Sequence, residues 1–495
     1  MAQNIMFQGT GSTVGKSIMT AAICRVLKDE GYKVSPFKSQ NMALNSYVTV
    51  NGKEMGRAQV VQAEAARIQP MVEMNPVLLK PTGDMGSQVV VNGEVYKNLS
   101  AADYYKNKKY LMKEVMKSYE VLDKEFDVIV IEGAGSPAEI NLRKNDIVNM
   151  GLAEVVDSPV ILIGDIDKGG VFASIYGTYM LLSPSEQNRI KGYIINKFRG
   201  DVKLLEPGIE MFKEHLSIPC LGVVPWSDIR VDDEDSVTDR FTKKEEAPII
   251  IGVVRIPYLS NFTDFTVLDL EADVSVRYII DAEEFQEVDM VILPGSKRTI
   301  EDLAYLKDKN VDQSIRRAHE KGLPIMGICG GYQMLGKEIS DPYHVETEAD
   351  SIEGLGLLDI TTIMAKDKHT IQSEGKILHK PEGLEGNNLK VKGYEIHMGI
   401  TMLDHETKAF VELEGGHKEG AINKEGNVFG TYLHGVFDHS DFRQSLLNRF
   451  RTEKGLESGV QESYEALKEK AYDDLRDLAK KHLDIDKIKE IAGLI

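Results

Sequence analysis

The feature that most constrains the fold is a glycine-rich run between a predicted strand and a predicted helix. It covers residues 9–17 (GTGSTVGKS), follows the apolar segment Asn4–Gln8 and leads into the amphipathic segment Lys16–Glu30. Glycines at such a turn let backbone N–H groups wrap an anion, and the N-terminus of the following helix adds partial positive charge. We therefore expect a phosphate-binding loop at the edge of a doubly wound α/β sheet.

The residue types in this loop predict its contacts with a nucleotide. We expect Gly9, Thr10 and Gly15 to shape the backbone around the phosphates of ATP. Lys16 is expected to reach the β- and γ-phosphates, and the Ser17 hydroxyl to hold Mg²⁺. Five residues rather than the usual four separate the two glycines. This spacing resembles the dethiobiotin synthetase-like branch of P-loop proteins.

Polar residues follow several other predicted strands of the same sheet, at the edge where α/β sheets bind ligands. The predicted strands are Lys33–Pro36, Asp127–Ile131, Val160–Ile163 and Gly192–Ile195. Glu132 is a candidate Mg²⁺ ligand. Asp165 and Asp167 either bind metal, orient a substrate or cap a turn, and the sequence leaves these alternatives open. Asn196 occupies the place where base-recognising residues lie in that P-loop branch, so we expect it to contact the nucleotide.

Length, net charge and cysteine content indicate which partners and cellular location to expect. The 495-residue chain is too long for one hydrophobic core, and its net charge of −19 comes without a basic stripe, so we expect no nucleic-acid partner. No apolar run of about 18 residues and no signal-peptide pattern occur, which predicts no membrane partner and a cytoplasmic location. The three cysteines lie far apart and in no C-x-x-C pair, so we expect neither a disulfide framework nor a cysteine-based zinc site.

A cysteine in a tight glycine turn is the most informative feature of the second half. The apolar run Pro324–Ile328 leads into Cys329, and Gly330 and Gly331 open a predicted helix. This arrangement is typical of a nucleophile elbow, here with sulfur as the nucleophile, and the helix N-terminus favours the thiolate. We expect the Gly330 amide to point at a developing oxyanion, with a second donor at the Gly295 turn.

A general base is needed to activate such a thiol. His434 follows the predicted strand Val428–Leu433, whereas the other histidines lie in polar segments without this context. We therefore predict that Cys329 and His434 form a catalytic pair. Ile249–Val254 and Met290–Leu293 are further predicted strands, so the second half is also expected to be an α/β domain.

Longer motifs in both halves resemble the cobyric acid synthase family. In the second half they are LPGS at 293–296, GICGGYQMLG at 327–336, GYEIHMG at 393–399 and GTYLHGVFD at 430–438. In the first half they are PFKSQNM at 36–42, LNS at 44–46, GRAQ at 56–59, MNPVLLKP at 74–81, DIDKGGVFAS at 165–174 and NKFRGD at 196–201. The resemblance extends to roughly residue 455.

The resemblance implies a domain plan. A P-loop, ATP-dependent amide-ligase domain of the dethiobiotin synthetase-like type is expected over 1–235, and a linker over 236–248. A class I glutamine amidotransferase α/β domain is expected over 249–455, and a charged helical tail over 456–495. Charged runs and composition do not predict whether the tail packs on a domain or mediates assembly, and the oligomeric state is not predicted.

The resemblance also implies an activity. Enzymes of this family amidate the b, d, e and g carboxylates of adenosylcobyrinic acid a,c-diamide to give adenosylcobyric acid, using ATP with Mg²⁺ and glutamine. On this chain Cys329 would be the glutaminase nucleophile and His434 its base, and the partners would be glutamine and a corrinoid. Four basic residues in the family-like motifs are candidate contacts for phosphate or substrate carboxylates: Lys38, Arg57, Lys80 and Arg199.

One position departs from the wider class I pattern. Most members carry a glutamate two residues after the histidine, where this chain has Val436. Asp438 and Glu395 are candidate replacements for orienting His434. Cobyrinate a,c-diamide synthase and CTP synthase share the two-domain plan, although their motifs fit less well. A nucleotide-binding protein with an inert glutaminase domain is a further alternative, supported only by Val436.

Overall fold

The computed structural model describes residues 1–83, 86–229, 231–232, 246–404, 407–459 and 463–495. The chain divides into two compact units. The P-loop unit comprises Met1–Ala43, Glu54–Asp232 and Lys468–Ile495, and the thiol unit comprises Leu44–Lys53 and Asp233–Leu467. We name Leu44–Lys53 the arm and Lys468–Ile495 the tail. Most of the expected linker at 236–248 lies outside the described residues.

The helices and strands are numbered along the whole chain. The strands are β1 (Gln3–Gly9), β2 (Val34–Phe37), β3 (Gln40–Met42), β4 (Ser46–Val48), β5 (Glu54–Gly56), β6 (Val77–Gly83), β7 (Gly86–Val91), β8 (Glu94–Ser100), β9 (Val128–Glu132), β10 (Val160–Asp165), β11 (Ile190–Phe198), β12 (Cys220–Pro225), β13 (Ile249–Val254), β14 (Val274–Ile279), β15 (Met290–Leu293), β16 (Ile325–Ile328), β17 (Glu338–Ser340), β18 (Ser351–Glu353), β19 (Ile360–Ile377), β20 (Lys390–Leu403), β21 (Val411–Leu413), β22 (Lys418–Glu419), β23 (Ala421–Ile422), β24 (Val428–Thr431) and β25 (Leu433–His434). The helices are α1 (Lys16–Asp29), α2 (Arg57–Ala65), α3 (Ala101–Glu125), α4 (Met150–Val155), α5 (Val171–Met180), α6 (Pro184–Gln187), α7 (Glu206–Phe212), α8 (Thr266–Asp269), α9 (Thr299–Asp308), α10 (Val311–Glu320), α11 (Gly330–Met334), α12 (Ser440–Glu453), α13 (Tyr464–His482) and α14 (Ile485–Ile491).

The P-loop unit is built on a parallel sheet of order β12-β11-β10-β1-β9-β2. The predicted strands are confirmed as β1, β2, β9, β10 and β11. β1 lies between β9 and β10, where the strand order reverses, and ligands of such sheets bind outside the carboxyl ends at this point. The loop after β1 therefore opens at the expected crevice. A mixed sheet, β3-β6-β7-β8, completes the unit and had no counterpart in the sequence prediction.

The tail belongs to the core of the P-loop unit. Leu475 and Ala479 on α13 are buried in the same apolar cluster as α1. Arg25 on α1 is fully buried and forms ion pairs with Glu469, at 2.5 Å, and with Asp473, at 2.8 Å. The sequence predicted a charged helical tail here and left open whether it packs on a domain, because a helical pattern does not indicate what the helix packs against.

The thiol unit has a second α/β sheet, of order β14-β13-β15-β16-β24-β23. Its pairs are parallel except β23–β24. The predicted strands are confirmed as β13, β15, β16 and β24. A second sheet contains the long antiparallel pair β19–β20, and β20 also pairs with β25 so that Tyr394 lies opposite His434. The first sheet thus carries Cys329, and the second brings β20 beside His434.

Candidate functional site

In the P-loop unit, Lys16 closes over the glycine-rich loop. Its side chain is almost buried, and Nζ donates to the carbonyl oxygens of Gly11, at 2.9 Å, and Gly135, at 3.1 Å. Gly15 has φ 98°, and a Cβ there would lie 2.1 Å from Asn196 Nδ2. A side chain at this position is therefore excluded both by backbone strain and by contact. The predicted loop residues come together in the geometry of an anion cradle.

The carboxyl ends of β10 and β11 brace this loop. Asn196 Nδ2 donates to Val14 O at 2.9 Å, and Thr10 N donates to Ile163 O at 2.9 Å. Asp165 accepts from the Asp167 backbone N–H at 2.9 Å, which is the turn-capping arrangement among the alternatives left open by the sequence. The described contacts of Asn196 thus support the loop, and its contact with a nucleotide base stays a prediction.

Glu132, at the end of β9, is the centre of a buried polar cluster. Ser17 Oγ donates to its Oε1 at 2.8 Å, Lys38 Nζ lies 3.0 Å from the same oxygen, and Gln62 Nε2 donates to Oε2 at 2.5 Å. Glu132 is 1% exposed and Lys38 5%. A buried carboxylate of this kind is retained at acceptable cost only with such partners. The structure therefore joins the two predicted Mg²⁺ ligands, Ser17 and Glu132, beside a lysine.

The other candidate substrate cations each contact a carboxylate within the same unit. Arg57 donates to Asp232 at 2.6 and 3.0 Å, and Lys80 lies 2.7 Å from Glu54. Arg199 pairs with Asp167 at 2.7 Å, and its guanidinium lies 4.3 Å from the centre of the Trp226 ring. Of the four candidates, Lys38 is the one described beside Glu132 and Ser17.

In the thiol unit, Cys329 stands on a strained turn between β16 and α11. Its backbone has φ 50° and ψ −109°, and its amide donates to Thr431 O at 2.8 Å. A Cβ at Gly331 would lie 2.0 Å from Leu293 O, so the turn has no room for a larger residue. A non-glycine residue held in an unfavourable backbone region beside close-packed glycines is typical of a nucleophile elbow.

The two predicted oxyanion glycines lie beside this turn. A Cβ at Gly330 would be 2.9 Å from Ser296 N, and one at Gly295 would be 2.9 Å from His434 Cε1. Ser296 Oγ donates to Asp302 at 2.5 Å, which holds the Gly295 turn in place. Burial raises the pKa of Asp302 to about 7. The structure thus brings Gly295, Gly330 and His434 together, as the sequence predicted they would need to be.

His434 is oriented by a carboxylate that the sequence analysis missed. Asp264 Oδ2 lies 2.7 Å from His434 Nδ1, and Asp264 Oδ1 accepts from Gly435 N at 2.9 Å. Burial lowers the pKa of His434, but the charge and hydrogen bond of Asp264 and the hydrogen bond to Cys329 raise it to about 10. Asp264 therefore stabilises the protonated imidazole beside Cys329.

Comparisons with known proteins agree with this geometry. Residues 5–236 match the CobQ/CobB/MinD/ParA nucleotide binding domain, and residues 250–442 match the CobB/CobQ-like glutamine amidotransferase domain. A cobyric acid synthase from Clostridium botulinum (strain 657 / Type Ba4) is 52% identical over 497 residues, covering 99% of both chains. The cobyric acid synthases of Clostridium acetobutylicum and Clostridium kluyveri are 51% and 50% identical, covering 99% of this chain and 99% and 98% of their own.

The chain belongs to the cobyric acid synthase family. It is an ATP-dependent amide ligase of cobalamin biosynthesis that takes its nitrogen from glutamine, as its motifs implied. Among the described residues, no helix has the length and apolar character needed to cross a bilayer.

In this member of the cobyric acid synthase family, Asp264 makes the contact with His434 that Val436 cannot make. Val436 is fully buried and offers no carboxylate. The described contact of His434 Nδ1 is with Asp264; Asp438 lies near Gly435, and Glu395 accepts from Ser373 Oγ at 2.8 Å. The only sequence signal was an acidic residue soon after β13, 170 positions from the histidine.

The arm supports the same region of the thiol unit. Asn45 Oδ1 accepts from Phe262 N at 3.0 Å, and Ser46 N donates to Asn261 Oδ1 at 3.0 Å. Tyr394 donates from its hydroxyl to Ser46 O at 2.9 Å, and its ring stacks on His434 at 5.4 Å between centroids. The family-like LNS motif thus holds the 3₁₀ turn that carries Asp264, and it holds the tyrosine against His434.

Proposed function

We propose that this chain amidates the b, d, e and g carboxylates of adenosylcobyrinic acid a,c-diamide to give adenosylcobyric acid. Each amidation consumes one ATP and one glutamine. The observation that carries the proposal is the full-length match to cobyric acid synthases at about half identity, in a chain whose two units retain both sets of reacting groups. The corrinoid is therefore the acceptor substrate, and glutamine is the nitrogen source.

The ligase reaction takes place at the glycine-rich loop of the P-loop unit. A carboxylate is a poor electrophile for ammonia, so it is first converted to an acyl phosphate by attack on the γ-phosphorus of ATP. Lys16 and the N–H groups of the loop neutralise charge that develops on the phosphate oxygens. Lys38, buried beside Glu132, supplies a second cation at this edge. Ammonia then displaces phosphate from the acyl carbon and forms the amide.

The residues of this unit fit a magnesium ion. The hydroxyl of Ser17 and the carboxylate of Glu132 are hard oxygen donors 2.8 Å apart, and Mg²⁺ prefers oxygen ligands shared with substrate phosphates. A bound Mg²⁺ would supply positive charge to neutralise the phosphates. Ser17 and Glu132 would hold it. Gln62, which donates to Glu132 Oε2, keeps the carboxylate oriented.

The glutaminase reaction takes place at Cys329. The thiolate attacks the side-chain amide carbon of glutamine, and the oxygen that becomes negative is stabilised by the backbone amides of Gly330 and Gly295. His434, protonated and held by Asp264, donates its proton to the departing ammonia. Neutral His434 then takes a proton from water as the water attacks the thioester, which releases glutamate and restores the thiolate.

The decisive experiment follows three products at once. The protein is mixed with Mg-ATP, glutamine and adenosylcobyrinic acid a,c-diamide, and glutamate, ADP and amidated corrinoid are measured. We expect all three to rise together, with four amidations per corrinoid. The Cys329→Ser variant should form no glutamate with glutamine but should amidate the corrinoid when ammonium chloride is supplied.

Two outcomes would contradict parts of the proposal. If neither glutamate nor ADP forms and the corrinoid is unchanged, the acceptor assignment fails, and cobyrinic acid is the next compound to test. If ADP forms with ammonia but glutamate never appears with glutamine, the thiol unit is inert and this chain is only an ammonia-dependent ligase.

A further inference from the structure

Three side chains that take no part in the reaction above converge on one face of the β19–β20 pair. His369 lies directly opposite His397 across the pair, and Glu395 lies two residues before His397, so all three share a face. Glu395 Oε2 lies 3.9 Å from His369 Nε2 and 3.6 Å from His397 Nε2. The three atoms all lie within 4.8 Å of one another.

A backbone carbonyl contacts one nitrogen of His397, which leaves the other nitrogen on the side of Glu395. His397 Nδ1 lies 2.8 Å from Gly399 O, and because a carbonyl only accepts, Nδ1 carries the proton. His397 Nε2, on the other side of the ring, is a buried atom with no hydrogen-bond partner among the described residues. A buried polar atom without a partner is costly, and a cation bound between His397 Nε2 and Glu395 Oε2 would give both atoms a partner.

The carboxylate is oriented in the same way. Ser373 Oγ donates to Glu395 Oε1 at 2.8 Å, which leaves Oε2 on the side of the two imidazoles. The His397 ring is held by stacking on Tyr432, with 3.7 Å between centroids. In protein metal sites, the histidine nitrogen and the carboxylate oxygen that do not bind the metal normally form hydrogen bonds of this kind.

We propose that His369, Glu395 and His397 bind a divalent transition-metal ion, with Zn²⁺ as the best fit. Two imidazole nitrogens and one carboxylate oxygen are the ligands of zinc sites, whereas Mg²⁺ and Ca²⁺ prefer oxygen-only sets. Ligands about 2.0–2.2 Å from zinc lie roughly 3.3–3.6 Å apart in a tetrahedron, so small side-chain rotations from the observed distances would complete the site.

The position of the site indicates its effect. Ile396, between the two β20 ligands, places its carbonyl oxygen 3.8 Å from Cys329 Sγ. A bound ion cross-links β19 to β20 and fixes the strand segment that borders the thiol. This site is separate from the magnesium site proposed in the P-loop unit, and it does not depend on the corrinoid assignment.

The test measures metal binding, not amidation. Untagged protein carrying Cys329→Ser, so that the thiol cannot bind zinc, is dialysed against Zn²⁺ with excess Mg²⁺ and analysed for zinc content. We expect about one zinc per chain and, with Co²⁺ instead, the visible absorption of a tetrahedral site. Adding His369→Ala should abolish both signals. His319→Ala, which removes a histidine on α10 outside the cluster, should leave them unchanged.

A graded variant separates this site from adventitious binding. Ser373→Ala keeps all three ligands but removes the hydrogen bond that orients Glu395, and should weaken zinc binding by about 10- to 100-fold. Because the His369 side chain is 55% exposed, its loss should not unfold the chain, and circular dichroism checks this. Zinc content equal in the parent and the His369→Ala variant, or absent from both, would overturn the proposal. Glu395→Gln removes the carboxylate ligand on β20 and tests the site in the same way as His369→Ala.

Discussion

Replacing Asp264 with asparagine tests the geometry of the thiol site most directly. In the native chain, Asp264 Oδ2 accepts the proton on His434 Nδ1 at 2.7 Å, and Oδ1 accepts from Gly435 N at 2.9 Å. Asparagine preserves the second contact through its carbonyl oxygen but turns an N–H group toward His434 Nδ1. The imidazole must then carry its proton on the other nitrogen, facing the thiol, where it cannot act as a base.

The expected loss of glutamate release in Asp264→Asn follows from two effects of the Asp264 carboxylate on His434. Raising the pKa of His434 from its ordinary value of 6.5 to about 10 against the effect of burial corresponds to a preference for the imidazolium of a few kcal/mol. Loss of this charge, together with the wrong tautomer, costs on the order of 10³–10⁴ in turnover where a buried aspartate supports a catalytic histidine. We expect Asp264→Asn to reduce glutamine-dependent glutamate release by roughly that factor.

The assay compares two nitrogen sources in the same preparation. Amidation with ammonium chloride depends on the P-loop unit and should stay within about twofold of wild type, which serves as the control for folding. Glutamine-dependent amidation should fall with glutamate release. If Asp264→Asn releases glutamate within tenfold of the wild-type rate, Asp264 does not orient the base and our account of the site is wrong.

The same variant has a predicted pH signature in stability. The folded-state pKa of His434, about 10, lies above the unfolded value of about 6.5, so its stabilisation is complete below pH 6.5 and is lost as the pH rises toward 10. The free energy of unfolding of the wild type, measured with urea, should therefore fall across this pH window. The decline should be shallower in Asp264→Asn, and equal slopes in the two proteins would count against a raised His434 pKa.

Three further substitutions test other parts of the structure. Ser17→Ala removes one oxygen ligand and should raise the Mg²⁺ concentration for half-maximal ADP formation by about tenfold. Asn45→Ala leaves the Phe262 amide without its acceptor and should lower glutamate release by about tenfold without affecting ammonia-dependent amidation. Leu475→Ala empties a fully buried position in the tail and should destabilise the P-loop unit by about 2–5 kcal/mol. Urea unfolding would measure this loss, with the remaining ATP-dependent activity as the signal.

Each of these predictions has a result that would refute it. An unchanged Mg²⁺ dependence in Ser17→Ala would mean that the hydroxyl is not a ligand. Equal losses of glutamine- and ammonia-dependent activity in Asn45→Ala would indicate general misfolding. The matched control is Asn51→Ala, at an exposed position of the same arm. A Leu475→Ala protein as stable as wild type would show that the tail contributes little to the P-loop unit.

Local patterns in the sequence predicted the reacting groups that lie on one strand–turn–helix segment. The glycine loop with Lys16 and the turn with Cys329 were predictable because neighbouring residues alone determine these turns. His434 and Glu132 followed from the rule that ligands meet at the carboxyl ends of parallel strands. The strands that carry them are confirmed in the structure.

Contacts between distant segments were not predictable in this way. Asp264 meets His434 across 170 positions, and no periodic pattern links them. Glu395 was a reasonable candidate for orienting His434, since β20 does lie beside that histidine. Strand alternation nevertheless directs Tyr394 toward His434 and Glu395 to the other face. Sequence alone could place the two residues on opposite faces, but it could not say which face met the catalytic histidine.

The location of Asp264 also explains why an early stretch of the chain is tied into the thiol unit. A glutamate two residues after the histidine is positioned by the same local turn, whereas Asp264 stands on a separate 3₁₀ turn that needs its own support. Asn45 holds that turn at Phe262, and Ser46 holds both Asn261 and Tyr394. Because the arm lies between β3 and β5 in the chain, the fold makes the orientation of His434 depend on residues encoded within the ligase half. The thiol unit is therefore complete only with the arm, which the chain encodes between two strands of the P-loop unit.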